Sequence, residues 1–328
     1  MKQSERIALK NTLRAPFFWI AGDKLVLSRK NCETYGIKLP SIDQGAIPDS
    51  IIFSETNPYI HKGLCIGKSA VHGRGIFSVE EIPPGREIMR IPALVSHGGE
   101  DTHSECILKC VYSLLDTLNR ACGARKVMED TSATLWENIF RYMEGNVLAL
   151  LGRNWKPLSS KSVETITDKK CQSLFYLSTQ HGKYFAPNEI ASVFEFNRFD
   201  VKRQKKNYCG VFPEASLFNH DCSPNVEIEI ITPSSFGIAS AASSSSTCIL
   251  IARTCRKVIS SEELFISYNK SEGLPLTENA ERLRRRWRFQ CACRACRYRL
   301  MRASLLIFFV LGSINYYFLR KYVKKMHE

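Results

Sequence analysis

The 328-residue sequence lacks an N-terminal apolar run leading to a small-residue cleavage site, the mark of a secretory leader. Its 13 cysteines are an odd number, in a chain with 44% apolar residues and length enough to build a core without disulfide staples. Together these point to a reducing, intracellular setting, nucleus or cytoplasm. Acidic residues are missing between Arg282 and Arg302, where nine arginines carry +9 of the formal +14. Such a patch suits nucleic acid, anionic lipid or an acidic protein surface, offsets negative charge within the fold, or forms a solvated basic face. No cysteine and histidine array between residues 97 and 195 has zinc-finger spacing. Cys106, Cys110, Cys122 and Cys171 are scattered over expected helices and read as core residues. A sustained period is missing from residues 1–58, where Gly36, Pro40, Gly45 and Pro48 recur, and these residues read as a loosely structured extension.

From Tyr59 short apolar runs, LCIG, GIFSV and REIMRIP, alternate with turns at Gly73 to Gly75 and Pro83-Pro84-Gly85, the pattern of short strands. Between residues 97 and 199 the period becomes helical. Ile107, Val111, Leu114, Leu115 and Leu118 share one face, and Leu135, Ile139, Met143, Val147 and Leu150 share another. A third helix is expected through Val163, Ile166, Leu174 and Leu177, and a fourth after Pro187 through Ile190, Val193, Phe194 and Asn197. VEIEII and CILIAR then read as a hairpin around a Ser/Ala-rich loop from Thr232 to Thr247 expected to be a flexible tip, and ELFISYNK reads as one more strand.

The spacing Cys291-x-Cys293-x-x-Cys296 can wrap one tetrahedral ion but supplies three sulfurs, and a closed zinc site needs four. Cys222, within SLFNHDCSPN, is the candidate fourth; the bland alternative is three free thiols on a basic tail. Gly73-Arg74-Gly75 alone signals a positive-φ turn, though a missing side chain also lets a ligand approach the backbone. Asn219 and His220 singly read as a turn residue and a structural histidine.

In order, GKSAVHGRGIFSVEEIPPG, EFNRFDV, SLFNHDCSPN, EELFISY and FQCACRAC resemble the SET-domain protein-lysine methyltransferases, and the chain looks closest to the SET-and-MYND subgroup and its fungal relatives, without the MYND finger. The resemblance covers residues 59–298. It implies an α+β fold of short strands with a pseudoknot, a large helical insert (97–199) and a zinc-binding post-SET segment (282–298), followed by a hydrophobic segment and basic tail (299–328). It implies an S-adenosyl-L-methionine site at Gly73, Arg74, Gly75, Asn197, Asn219 and His220, and a structural zinc ion on Cys222, Cys291, Cys293 and Cys296. Tyr268 would orient the substrate amine, with Trp287 and Phe289 beside it in the substrate channel. The implied partner is a lysine of a histone tail or another protein, with no sequence-specific nucleic-acid binding. The alternative is a non-catalytic SET module that binds a protein or a membrane. Two positions depart from the family pattern: the bulk of Trp287, which would narrow the channel, and Asn269-Lys270, where an acidic residue is frequent.

Ala303 to Leu319 is a 17-residue uncharged run, about 26 Å as a helix against ~30 Å of hydrocarbon. With Arg302 and Arg320 snorkelling outward it reads as a membrane anchor, for which the nine arginines on its N-terminal side against four basic residues after Leu319 favour a cytoplasmic catalytic domain; the polar Asn315 fits the alternative, a buried C-terminal helix.

Overall fold

The runs after Tyr59 become short antiparallel strands in the computed structural model, which describes residues 12–39, 51–71, 73–99, 103–123, 131–151, 187–203, 206–232, 247–268 and 276–326. The chain divides into two units, Met1–Asn219 with Asn225–Phe265, and His220–Pro224 with Ile266–Glu328.

In the first unit, the stretch expected to be loosely structured holds a small sheet. β1 (Phe18–Ala21) and β2 (Lys24–Ser28) form a hairpin, and β3 (Ile51–Ser54) adds parallel to β2. Helix α1 (Arg29–Thr34) follows β2 directly, started by Ser28, whose Oγ accepts the N–H of Asn31 at 3.3 Å. The strands escaped detection because both their faces are buried, so FWIA and LVLS show no alternation. Phe18, Ile20, Leu25 and Leu27 face the main core, while Trp19, Ala21 and Val26 pack on the opposite side.

Strands β4 (Tyr59–Ile60), β5 (Leu64–Lys68), β6 (Arg74–Ser78), β7 (Glu87–Pro92) and β8 (Val95–Gly99) come next. The β5–β6 hairpin pairs Lys68 with Arg74, and Gly73 takes the left-handed φ of 58° that its turn requires. The helical insert is α2 (His103–Gly123), α3 (Thr131–Tyr142) with a π turn at Met143–Val147 and a 3-10 turn at Leu148–Leu151, and α4 (Pro187–Asn197). Ile107, Val111, Leu114, Leu135, Ile139, Met143, Val147, Ile190, Val193 and Phe194 are all buried in one core with β1 and β2, as their spacing predicts. The expected third helix lies outside the described residues.

After α4, β9 (Arg198–Arg203) and β10 (Lys206–Val211) build the sheet β8-β10-β9. Strand β11 (Asn219–His220) is followed by β12 (Val226–Ile231) and β13 (Ile249–Thr254), the expected hairpin, in register from Val226 opposite Thr254 to Ile231 opposite Ile249. Residues 233–246 of its tip lie outside the described residues. The sheets β12-β13-β7-β4 and β11-β14-β6-β5 complete the strand set, β14 being Glu263–Ile266.

In the second unit Tyr268 lies two residues past the end of β14, so the strand stops short of the tyrosine it was expected to contain. Helices α5 (Leu276–Trp287) and α6 (Arg294–Met326) follow, and the last cysteine, Cys296, sits in the first turn of α6. Among the described residues no helix is long and apolar enough to cross a membrane, which corrects the expectation of a spanning anchor. Ser313, Asn315 and the Tyr316-Tyr317 pair break up the 17-residue run, which is already shorter than the hydrocarbon layer.

Candidate functional site

In the first unit the motif residues converge on a buried carboxylate that the sequence reading left unassigned. Glu263, 9% exposed, accepts hydrogen bonds from Ser69 Oγ (3.0 Å) and Asn219 Nδ2 (2.8 Å), and Asn219 Nδ2 also donates to the carbonyl of Arg74 (2.9 Å). The space left by the missing side chain of Gly75 is filled by these groups: a Cβ there would stand 2.2 Å from Glu263 Oε1 and 3.0 Å from Asn219 Nδ2. Beside Gly73, by contrast, a Cβ would meet nothing within 4 Å. Both amide hydrogens of Asn219 are thus engaged within the protein. Arg74 reaches the carbonyl of Ala149 (2.7 Å), and Asn197 Nδ2 donates to Val193 O (2.9 Å), closing the last turn of α4.

Asn225, the last residue of NHDCSPN, directly after Pro224, grips β14 as a neighbouring strand would. Its Oδ1 accepts the N–H of Phe265 at 2.7 Å and its Nδ2 donates to the carbonyl of Glu263 at 2.9 Å. Within the second unit the Asp221 N–H donates to Ile266 O at 3.1 Å.

The second unit gathers the remaining candidates. The sulfurs of Cys222, Cys291, Cys293 and Cys296 all lie within 4.8 Å of one another, and among the described residues they are the one such group. Cys222 Sγ is 3.9 Å from Cys291 Sγ and 3.6 Å from Cys296 Sγ. Zn–S bonds of about 2.3 Å give a tetrahedron with edges of about 3.8 Å, so the sulfurs present fit a zinc ion. Their acidities agree. Its hydrogen bond with Cys222 holds Cys291 down at about 3, that same bond drives Cys222 far above the ordinary thiol range, and burial pushes Cys296 up to about 12. A dication on the sulfurs is what would let Cys222 and Cys296 ionise beside Cys291. Asn279 Nδ2 also points at Cys222 Sγ, 3.8 Å away.

Beside the sulfurs, Tyr268 stands among three rings. His220 is 5.3 Å away centroid to centroid, Trp287 5.1 Å, and Phe289 6.2 Å at 88°. His220, 3% exposed, accepts the backbone N–H of Tyr268 on Nδ1 at 3.1 Å and sets Nε2 3.4 Å from Cys222 Sγ. Leu283, Cys291 and Cys293 form the small buried core on which Tyr268, Trp287 and Phe289 pack. The four cysteines and the rings of His220, Tyr268, Trp287 and Phe289, singled out from the sequence, are the residues brought together here. Sequence reasoning missed Ser69, Asn225 and Glu263, although each lies in or beside a quoted motif, because an internal hydrogen bond leaves no periodic or spacing signal.

The family model for the SET domain matches residues 73–269, more than half of the chain. A 95-residue segment, 29% of this chain, is 27% identical to human protein-lysine N-methyltransferase SMYD4 and spans a tenth of that protein's length. Two solved structures are similar at low identity. The SET domain of LSMT bound to lysine and AdoHcy is 13% identical over 70% of this chain and 53% of that one, with a TM-score of 0.36. CpSET8 from Cryptosporidium is 14% identical over 65% and 61%, with a TM-score of 0.28.

Proposed function

The chain belongs to the SET-domain family, and from that premise we propose that it is an S-adenosyl-L-methionine-dependent protein-lysine N-methyltransferase acting on a histone tail or another protein. The observation that carries the reading is Tyr268, placed by EELFISY and enclosed by His220, Trp287 and Phe289. A lysine is a long apolar stem ending in an amine, and aromatic walls suit both: ring faces cover the methylenes and tolerate a cationic head. Before transfer the amine must be neutral and aimed. Desolvation against Trp287 and Phe289 favours loss of its proton to water, and the Tyr268 hydroxyl is the group that would fix its lone pair.

Gly73, Arg74, Gly75, Asn197, Asn219 and His220 would hold the cofactor, with the open space at Gly73 as the feature that favours it. S-Adenosyl-L-methionine, when bound, supplies a methyl group on an electrophilic sulfonium. A zinc ion on the four cysteines would be structural, since four protein sulfurs leave it no open position.

The test is transfer of labelled methyl groups into proteins of a cell extract. Tyr268→Phe removes one hydroxyl and should lower the rate by on the order of 10²-fold, with folding and cofactor binding kept. Wild-type rate in Tyr268→Phe rejects the tyrosine's role. No transfer by intact, metal-loaded protein rejects the enzyme and leaves the binding module.

Helix α6 supports association with an anionic membrane surface. Phe308, Phe309, Tyr316 and Leu319 are each more than 60% exposed on it, an apolar surface. From Arg282 to Lys325 the sequence has 13 basic residues and no acidic one. A second copy would bring like charge against like, whereas anionic headgroups complement it. The full chain should therefore co-sediment with vesicles containing phosphatidylserine and dissociate as salt rises, and a chain ending at Arg302 should stay in the supernatant. Equal binding to neutral vesicles, or none to anionic ones, overturns this.

A further inference from the structure

The imidazole of His220 has one consistent proton arrangement. The backbone N–H of Tyr268 can only donate, so Nδ1, 3.1 Å away, accepts and carries no hydrogen. The single proton of the neutral ring is then on Nε2, which lies 3.4 Å from Cys222 Sγ. There the ring donates and the sulfur accepts, a role that a metal-bound sulfur fills more strongly than a thiol whose own hydrogen goes to Cys291. Nε2 is thereby removed as a metal ligand. The ring is buried, with Tyr268 and Phe289 at 5.3 and 6.2 Å, so it has little room to turn away.

We propose that His220 is a positioning residue that couples the four-cysteine cluster to the backbone at Tyr268, so that a zinc-class dication on the sulfurs holds the tyrosine in place. Binding the ion makes Cys222 a full-time acceptor, which orients the ring through Nε2–H. The oriented ring presents Nδ1 to the tyrosine amide. Outer hydrogen bonds of this kind commonly set the orientation and affinity of metal ligands. Here the same ring also reaches the residue proposed to aim the substrate. The consequence for methyl transfer rests on that reading of Tyr268; the hydrogen-bonded chain does not.

The experiment uses the full chain loaded with Zn²⁺ or stripped by a chelator, with hydrogen exchange read at the Tyr268 amide and zinc release read separately. In the wild type, stripping should speed exchange at Tyr268 by about tenfold or more. His220→Asn keeps an acceptor near Nδ1 but loses the donor to Cys222. It should release zinc about 10- to 100-fold faster while its loaded form keeps Tyr268 protected. His220→Gln keeps an N–H near Nε2 and loses the acceptor, so it should hold zinc as the wild type does and lose protection at Tyr268 even when loaded. Wild-type protection in loaded His220→Gln, or wild-type zinc release in His220→Asn, overturns the coupling. Neither readout needs methyl transfer. An inactive chain showing these patterns defeats only the methyltransferase reading, and an active chain with flat exchange defeats only the coupling.

Discussion

Glu214 is fully enclosed, with one carboxylate oxygen accepting the Tyr142 hydroxyl and the other without a hydrogen-bond partner among the described residues. Burial raises its pKa from the ordinary 4.5 to about 7. Across that window the native state keeps a proton that the unfolded chain has released. The stability contributed is therefore full below about pH 4.5 and lost as pH rises through about 7, on the order of 3 kcal/mol. Glu214→Gln is neutral throughout. Its melting temperature should fall less than the wild type's between about pH 5 and pH 8, and parallel curves would show that the carboxyl is not held protonated. Gly75 makes a second prediction at this scale. Its alanine variant would push a methyl group into Glu263 and Asn219, both already hydrogen-bonded. Overpacking of this kind costs about 1–3 kcal/mol, to be read as a lower denaturant midpoint with unchanged slope.

At the scale of elements, what could be read from the sequence depended on how each one is buried. Helices α2, α3 and α4 have one buried face, so Ile107 to Leu115, Leu135 to Val147 and Ile190 to Phe194 announce them by spacing. The hairpin of β12 and β13 alternates on β12, where Val226 is buried and Glu227 exposed. Strands β1 and β2, covered on both sides, carry no such alternation. The cysteine group was legible because Cys291-x-Cys293-x-x-Cys296 has the compact spacing that tetrahedral coordination requires, with Cys222 as the candidate fourth sulfur. The Ser69–Glu263–Asn219 network was not, since its members are 194 and 44 residues apart in pairs and each is an unremarked polar residue in the sequence. Strand β14 depends on such a contact. Asn225→Ala would leave the Phe265 N–H and the Glu263 carbonyl without their side-chain partner. The expected loss is about 1–3 kcal/mol per stranded group, with faster hydrogen exchange at Phe265; unchanged exchange there would rule out the clamp.

Across the whole molecule, charge and core are divided unequally. Residues 1–281 are near electrical balance, while the sequence after Glu281 holds 13 of the 46 basic residues and a single acid, Glu328. The second unit has Leu283, Cys291 and Cys293 as its buried centre, too little apolar area to fold without help. If the four cysteines hold the proposed zinc ion, a chelator should deprotect residues 276–326 to hydrogen exchange and leave the α2–α4 core of the first unit protected; equal loss everywhere would show one cooperative structure. The pairing of Cys222 with Cys291 and Cys296 spans 69 and 74 residues of chain, and this sets an order of events during synthesis. At about 5–20 residues per second, Cys222 waits several seconds for its partner sulfurs. During that interval Tyr268 is already made but the cluster that would fix it does not exist. A chain ending between Trp287 and Cys296 therefore carries every residue of the first unit together with Tyr268 and Trp287, yet lacks the fourth sulfur of the group beside which Tyr268 stands.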